Sequence, residues 1–319
     1  MQSSAHFILA RSWRLASGRV DRVATRPEVT IHWLLRIGCA MCFVGHGAWG
    51  VITKSGWVPL YGVFGIPASL AWKTMPVIGA VDITFGALVL FFPFRALFGY
   101  MALWTLLTAL LRPLAGLGVW EFLERAGNYG PPIALFIVAS QRNGHWLEHV
   151  EARPLSPEIL RRVAWVLRIS IALLLVGHGG FALIQEKKIL VDQWQSIGVP
   201  AGRTFLHVLG IAEMGAAIAV LCRPSRWLLL VIGYWKIASE LLYPVSGKLR
   251  DVWEWLERGG DYVTPLALLC VLALLHSRSG DRGDGTSSTG ADGGARTRGR
   301  HHRLGIVPSA ETAGARREP

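Results

Sequence analysis

The sequence predicts an all-α integral membrane protein of about eight transmembrane helices, arranged as two parallel four-helix repeats. Three observations lead there. Hydrophobic residues make up 52% of the 319 and charged residues only 17%, a balance that suits a bilayer better than water. Long apolar stretches recur near residues 31–52, 76–92, 96–111, 163–184, 205–222 and 226–243, and several reach the roughly 20 residues a spanning helix requires. The chain also aligns with itself at an offset near 132 residues.

That alignment is carried by paired residues. Arg36 pairs with Arg168, Gly45-His46-Gly47 with Gly177-His178-Gly179, and Gly65-Ile66-Pro67 with Gly198-Val199-Pro200. Asp82 then pairs with Glu213, Arg95 with Arg226, Trp104 with Trp235 and Pro113 with Pro244. The segment WEFLERAGNY from Trp120 matches WEWLERGGDY from Trp253, with eight of ten positions identical or exchanging an acid for its amide. A register held over so long a stretch marks a duplicated module. Four helices per unit is an even number, so both units enter from the same side and the repeat is parallel.

Taken in order, residues 1–30 carry Arg11, Arg14, Arg19, Arg22 and Arg26 among polar residues. They lack the apolar core and small-residue cleavage site of a signal peptide and read as a basic cytoplasmic segment. Residues 31–141 form the first unit, 142–162 a cytoplasmic linker and 163–276 the second unit. The fourth apolar run of each unit is short, PPIALFIVAS from Pro131 and TPLALLCVLALLH from Thr264, so residues 131–140 and 264–276 read as either re-entrant or crossing. Charge decides between these. The linker and the tail are both basic and should share the cytoplasmic side, which requires both short runs to cross. Residues 277–319, rich in Gly, Ser, Thr and Arg without periodicity, read as a disordered basic tail. The net charge of +12 then reports topology, with both termini cytoplasmic in the cell (inner) membrane, and not a nucleic-acid partner.

The polar residues within the apolar runs are the candidate site. At about 1.5 Å per residue, His46 and His178 lie roughly 22 Å along their helices, in the outer third of the bilayer. Asp82 and Glu213 fall early in the returning second helix. The third helix carries Thr105, Thr108 and Arg112 in one unit, and Lys236, Ser239, Glu240 and Tyr243 in the other, at spacings that share one face. Ionisable groups at membrane depth are costly and face an interior, a partner or a pathway. They predict a polar cavity in each unit, open to the outer side: His46, Asp82 and Arg112 in the first, His178, Glu213, Lys236 and Glu240 in the second. The competing reading is helix-to-helix pairing, His46 with Asp82 and Glu213 with Lys236. If only one cavity functions, the second has the richer polar set.

Other features have simpler explanations. The 14 tryptophans read as an interfacial belt, and the Trp-Glu-x-x-Glu-Arg segments as short amphipathic helices on the outer surface. Cys39 and Cys42 form a C-x-x-C whose repeat partners are Ile171 and Leu174, so they read as packing residues. Cys222 and Cys270 are isolated, and no disulfide framework is indicated.

An arginine opening the first helix, a His-Gly near its outer end, a Gly-x-Pro, an acidic residue beside small ones, and a basic residue before the third helix together form a pattern. Here it is Arg36, His46-Gly47, Gly65-x-Pro67, Asp82 with Gly86, and Arg95, then Arg168, His178-Gly179, Gly198-x-Pro200, Glu213 with Gly215, and Arg226. The pattern resembles the DoxX-like four-helix membrane proteins, here in tandem, over roughly residues 31–140 and 163–276. The resemblance implies a quinone-associated redox-complex component with a soluble or membrane redox partner. The chain departs from the family in its fused units, in Asp82 where Glu is typical, and in the repeated Trp-Glu segment.

No haem-attachment motif, iron–sulfur cysteine cluster or dinucleotide fingerprint is present, so electrons for such a role come from a partner. No metal site is read from the sequence beyond a minor one, His46 and His178 as an axial pair on one haem. The alternatives to the quinone role are a small-solute or proton-coupled transporter and a non-catalytic membrane scaffold, and whether the chain is an enzyme stays open.

Overall fold

The computed structural model describes residues 26–141, 144–247 and 249–284. Arginines 11–22 and the tail beyond residue 284 lie outside the described residues. The architecture is all-helical. Among the described residues the only β pairing is an isolated bridge between Phe94 and His149.

Helix α1 (Pro27–Val51) starts at a proline in its first turn, with Glu28 behind it, which suits the free N–H groups of a helix start. It therefore begins inside the segment expected to precede the membrane. A 3₁₀ turn at Ser55–Trp57 and the short α2 (Val58–Gly62) lead to α3 (Ala68–Phe91) and α4 (Arg95–Leu114). Then come α5 (Val119–Glu124) and α6 (Ala126–Ala139). The second half of the chain follows with α7 (Pro157–Leu183), α8 (Lys188–Ser196), α9 (Arg203–Cys222) and α10 (Arg226–Glu240). Last are α11 (Leu242–Ser246), α12 (Val252–Glu257) and α13 (Gly259–Asp284).

Among the described residues six stretches are long and apolar enough to cross a membrane: α1, α3, α4, α9, Arg226–Ser246 and Val252–Ser279. The run expected at 264–276 is thus part of a long helix that continues past residue 277, where a disordered tail was expected. The run at 131–140 differs. It belongs to the 14-residue α6, shorter than a span needs. Central α7 has 27 residues but is not among the six.

The described residues up to Arg278 form one unit. Helix α1 packs on α3 and α6, while α7 packs on α9, α6 and α5. One large apolar core fills the space between them, including Leu35, Phe43, Phe98, Leu135, Leu167, Leu229 and Leu268.

At the end that carries the linker, Arg36 reaches across to the last turn of α3, donating from Nε to the Val89 carbonyl at 2.7 Å and from a terminal nitrogen to that of Leu90. Arg168 does the same on α9, at 3.2 Å to Val220 and also to Leu221. A guanidinium there satisfies orphan carbonyls at the negative end of a helix dipole. Each arginine also lies over a neighbouring indole, Trp33 or Trp165. The repeated arginine is therefore a structural clamp.

Candidate functional site

The polar chemistry gathers at the opposite end, and the glycines around each histidine explain how. A Cβ on Gly45 would overlap the backbone of α12 at Glu257, and one on Gly47 would press on the Gly79 carbonyl of α3, 2.5 Å away. Gly177 faces the backbone of α5 at Glu124 in the same way, and Gly179 faces the Gly210 carbonyl of α9 at 3.0 Å. Each histidine thus projects from a helix squeezed on two sides. The partner of α1 is the Trp-Glu segment of the second half, α12. The partner of α7 is that of the first half, α5.

These segments were expected on the outer surface. Instead Glu124 and Glu257 are each 1% exposed, and their charges are met across the halves. Arg125 donates to Glu257 at 2.5 Å and lies 3.2 Å from Glu124. Arg258 donates to Glu124 at 2.6 Å and lies 3.1 Å from Glu240. Lys54 pairs with Glu254, and Lys187 with Glu121, again exchanging halves. Burial alone would raise the Glu124 carboxyl, but the Arg125 and Arg258 guanidiniums outweigh it and hold Glu124 well below the usual carboxylate range.

In the first half, His46 Nδ1 and Asp82 Oδ2 share a hydrogen bond of 2.8 Å, and the imidazole stacks on Trp57 with ring centroids 4.3 Å apart. Asp82 is 1% exposed, and its Oδ1 has no partner. Around this dyad is a polar pocket of about 340 Å³, open mouth included, walled by Thr105, Thr108, Arg112, Arg125, Asn128 and Glu257. His46, Trp104, Thr108 and Arg112 also line an adjoining apolar pocket of about 670 Å³, open mouth included, with Trp57, Leu60, Tyr61, Phe64, Ile66 and Ile78. Five buried polar atoms of the residues lining the polar pocket lack a hydrogen-bond partner: Asp82 Oδ1, Trp104 Nε1, Arg125 Nε, Asn128 Oδ1 and Glu257 Oε2. Buried polar atoms normally bond to something, so these atoms have bonding capacity that no neighbouring side chain takes up.

The second half answers the same questions internally. Trp235, the partner of Trp104, donates from Nε1 to Glu213 at 3.0 Å. Lys236 donates to His178 Nε2 at 3.0 Å and to Glu240 at 2.6 Å. Trp194 of α8 stacks on Trp235 with centroids 5.9 Å apart, and both line a pocket of about 440 Å³, open mouth included, with His178, Glu213, Glu240 and Tyr243.

His46, Asp82 and Arg112 therefore share one pocket, and His178, Glu213 and Glu240 share another, with Lys236 fully buried behind its wall. Of the two pairs in the competing reading, His46–Asp82 is present, while Glu213–Lys236 is replaced by Glu213–Trp235 and Lys236–Glu240, the ammonium being drawn to a carboxylate one turn away on its own helix. His46 and His178 line different pockets. Cys39 and Cys42 are buried free thiols. Sequence reasoning missed Glu124, Arg125, Glu257 and Arg258 by treating charge on a short helix as surface, although the segment that holds them is the best-matched stretch of the repeat.

No protein family, curated protein or solved structure matches this chain. The site's geometry therefore carries the functional reading.

Proposed function

We propose that the protein is an integral-membrane component of a redox complex that holds a quinone in the first pocket. In this reading the chain is a tandem pair of DoxX-like units crossing the cell (inner) membrane eight times, with α6 and α7 completing the count and both termini cytoplasmic. The pockets then open to the outer side.

One observation carries the proposal: an aromatic, apolar chamber ends at a His–Asp dyad whose surrounding polar groups lack partners. A quinone matches both parts. Its ring and tail suit the chamber walled by Trp57, Tyr61, Phe64 and Ile66, and its carbonyls accept bonds from donors such as Trp104 Nε1 and Arg112. Its reduction and oxidation move protons, which an imidazole held by a carboxylate can give and take. Electrons come from a partner protein. The second pocket, whose polar groups bind one another, does not take part in this role.

The test uses the purified full chain in detergent and a short-chain quinone as the probe. Trp57 and Trp104 line the chamber, so binding quenches intrinsic fluorescence saturably, and Asp82→Asn weakens it at least tenfold while Glu213→Gln leaves it unchanged. Absence of saturable quenching, or equal loss in both variants, overturns the reading.

A further inference from the structure

A second observation concerns three positions at which the halves differ. Where the first half has Thr105, Ala109 and Asn128, the second has Lys236, Glu240 and Asp261. All three ionisable replacements meet in space, together with His178: one side-chain atom each of His178, Glu240 and Asp261 lies within 4.8 Å of the others, and Lys236 bonds to both His178 and Glu240.

The charges within this group are unequally served. Glu240 is met by Lys236 on one oxygen and Arg258 on the other, and is a satisfied anion. Asp261 is 1% exposed, and neither of its oxygens has a hydrogen-bond donor. The groups that face it are Lys236 and Glu240 of α10, Arg258 beside it, Glu124 of α5 and His178 of α7. Both nearby cations are already engaged, Lys236 by Glu240 and Arg258 by Glu124 and Glu240. Two carboxylates this close, one of them without a donor, do not both ionise at low cost. A divalent metal is disfavoured because the Lys236 ammonium already stands between His178 and Glu240. In the first half the same position is the amide Asn128, the neutral isostere of a protonated carboxyl.

We infer that the second half contains a buried proton-binding site, with Asp261 carrying the proton at neutral pH beside the ionised Glu240. Glu240 and His178 line the second pocket, which gives the proton an exchange route to water, while Asp261 sits behind them. This site does not depend on what the first pocket binds.

Infrared spectroscopy of the purified full chain at neutral pH, in H₂O and D₂O, tests it. The expected result is a protonated-carboxyl carbonyl band that shifts in D₂O and loses one carboxyl's intensity in Asp261→Asn. Glu240→Gln is expected to remove the same intensity without touching Asp261, because Asp261 then becomes the ionised partner of Lys236. This second variant decides the matter if the first does not fold. An unchanged band in a folded Asp261→Asn or in Glu240→Gln overturns the proposal, as does stoichiometric bound metal that departs with Asp261→Asn.

Discussion

The two pockets occupy equivalent places in the two halves of the chain, beside equivalent histidines, and differ in what their polar atoms face. In the first, Asp82 Oδ1 and Trp104 Nε1 are unpartnered. In the second, the corresponding Glu213 and Trp235 bind each other at 3.0 Å. One extra methylene on the acid accounts for the change, since Asp82 is short and holds its histidine, whereas Glu213 reaches the indole. The sequence favoured the second cavity for its richer polar set, but Lys236, Glu240 and Arg258 spend their bonding capacity on each other.

This contrast can be broken in several ways. The largest expected effect comes from Arg125→Ala or Arg258→Ala, which remove the hydrogen-bonded guanidinium from buried Glu257 or Glu124. Either should cost about 3–5 kcal/mol, read as a lowered unfolding midpoint in detergent, and would undo both pockets at once. Next, Gly45→Ala and Gly177→Ala force α12 or α5 away from the histidine helix at about 1–3 kcal/mol. Equal losses at the two positions would show that both halves rely on the same clamp.

The acids should then separate. Glu213→Gln keeps an acceptor for Trp235 and is expected to cost under about 1.5 kcal/mol, without affecting quinone quenching. Asp82→Asn should change stability as little but weaken quenching. The smallest effect belongs to Trp194→Tyr, which installs the residue found four positions before Gly65 in the first half. It should widen the mouth of the second pocket, seen as faster quenching of Trp235 by acrylamide, with little change in midpoint.

A pH series bears on the links between the halves. The Glu124 carboxyl is held low by Arg125 and Arg258, so its stabilising contribution is full above the ordinary glutamate range and is lost as pH falls below it. The unfolding midpoint should therefore stay level from pH 7 to about pH 5 and decline below about pH 4, and Glu124→Gln should flatten that decline.

Much of this was legible from residue order. Apolar run lengths located the helices, and the paired residues located the histidines and Asp82. What the pattern could not supply was the partner. The motif Trp-Glu-x-x-Glu-Arg reads identically whether it folds over its own half or the other, because periodicity records which face is apolar and not what covers it. The helix ends at Pro27 and Asp284 were also hidden, since the ion pair that ties them, Arg278 to Glu28 at 2.6 Å, joins residues 250 apart.

The exchange of α5 and α12 also sets an order of assembly. Arg125 and Glu257 are 132 residues apart, so at roughly 5–20 residues per second of synthesis the first half waits on the order of ten seconds for its cover. During that interval Arg125 and Glu124 have only each other, and the gap beside Gly45 has no native companion on the nascent chain. Helix α1 is thus covered only once α12 has been made, whereas α7 emerges with its cover α5 already in place.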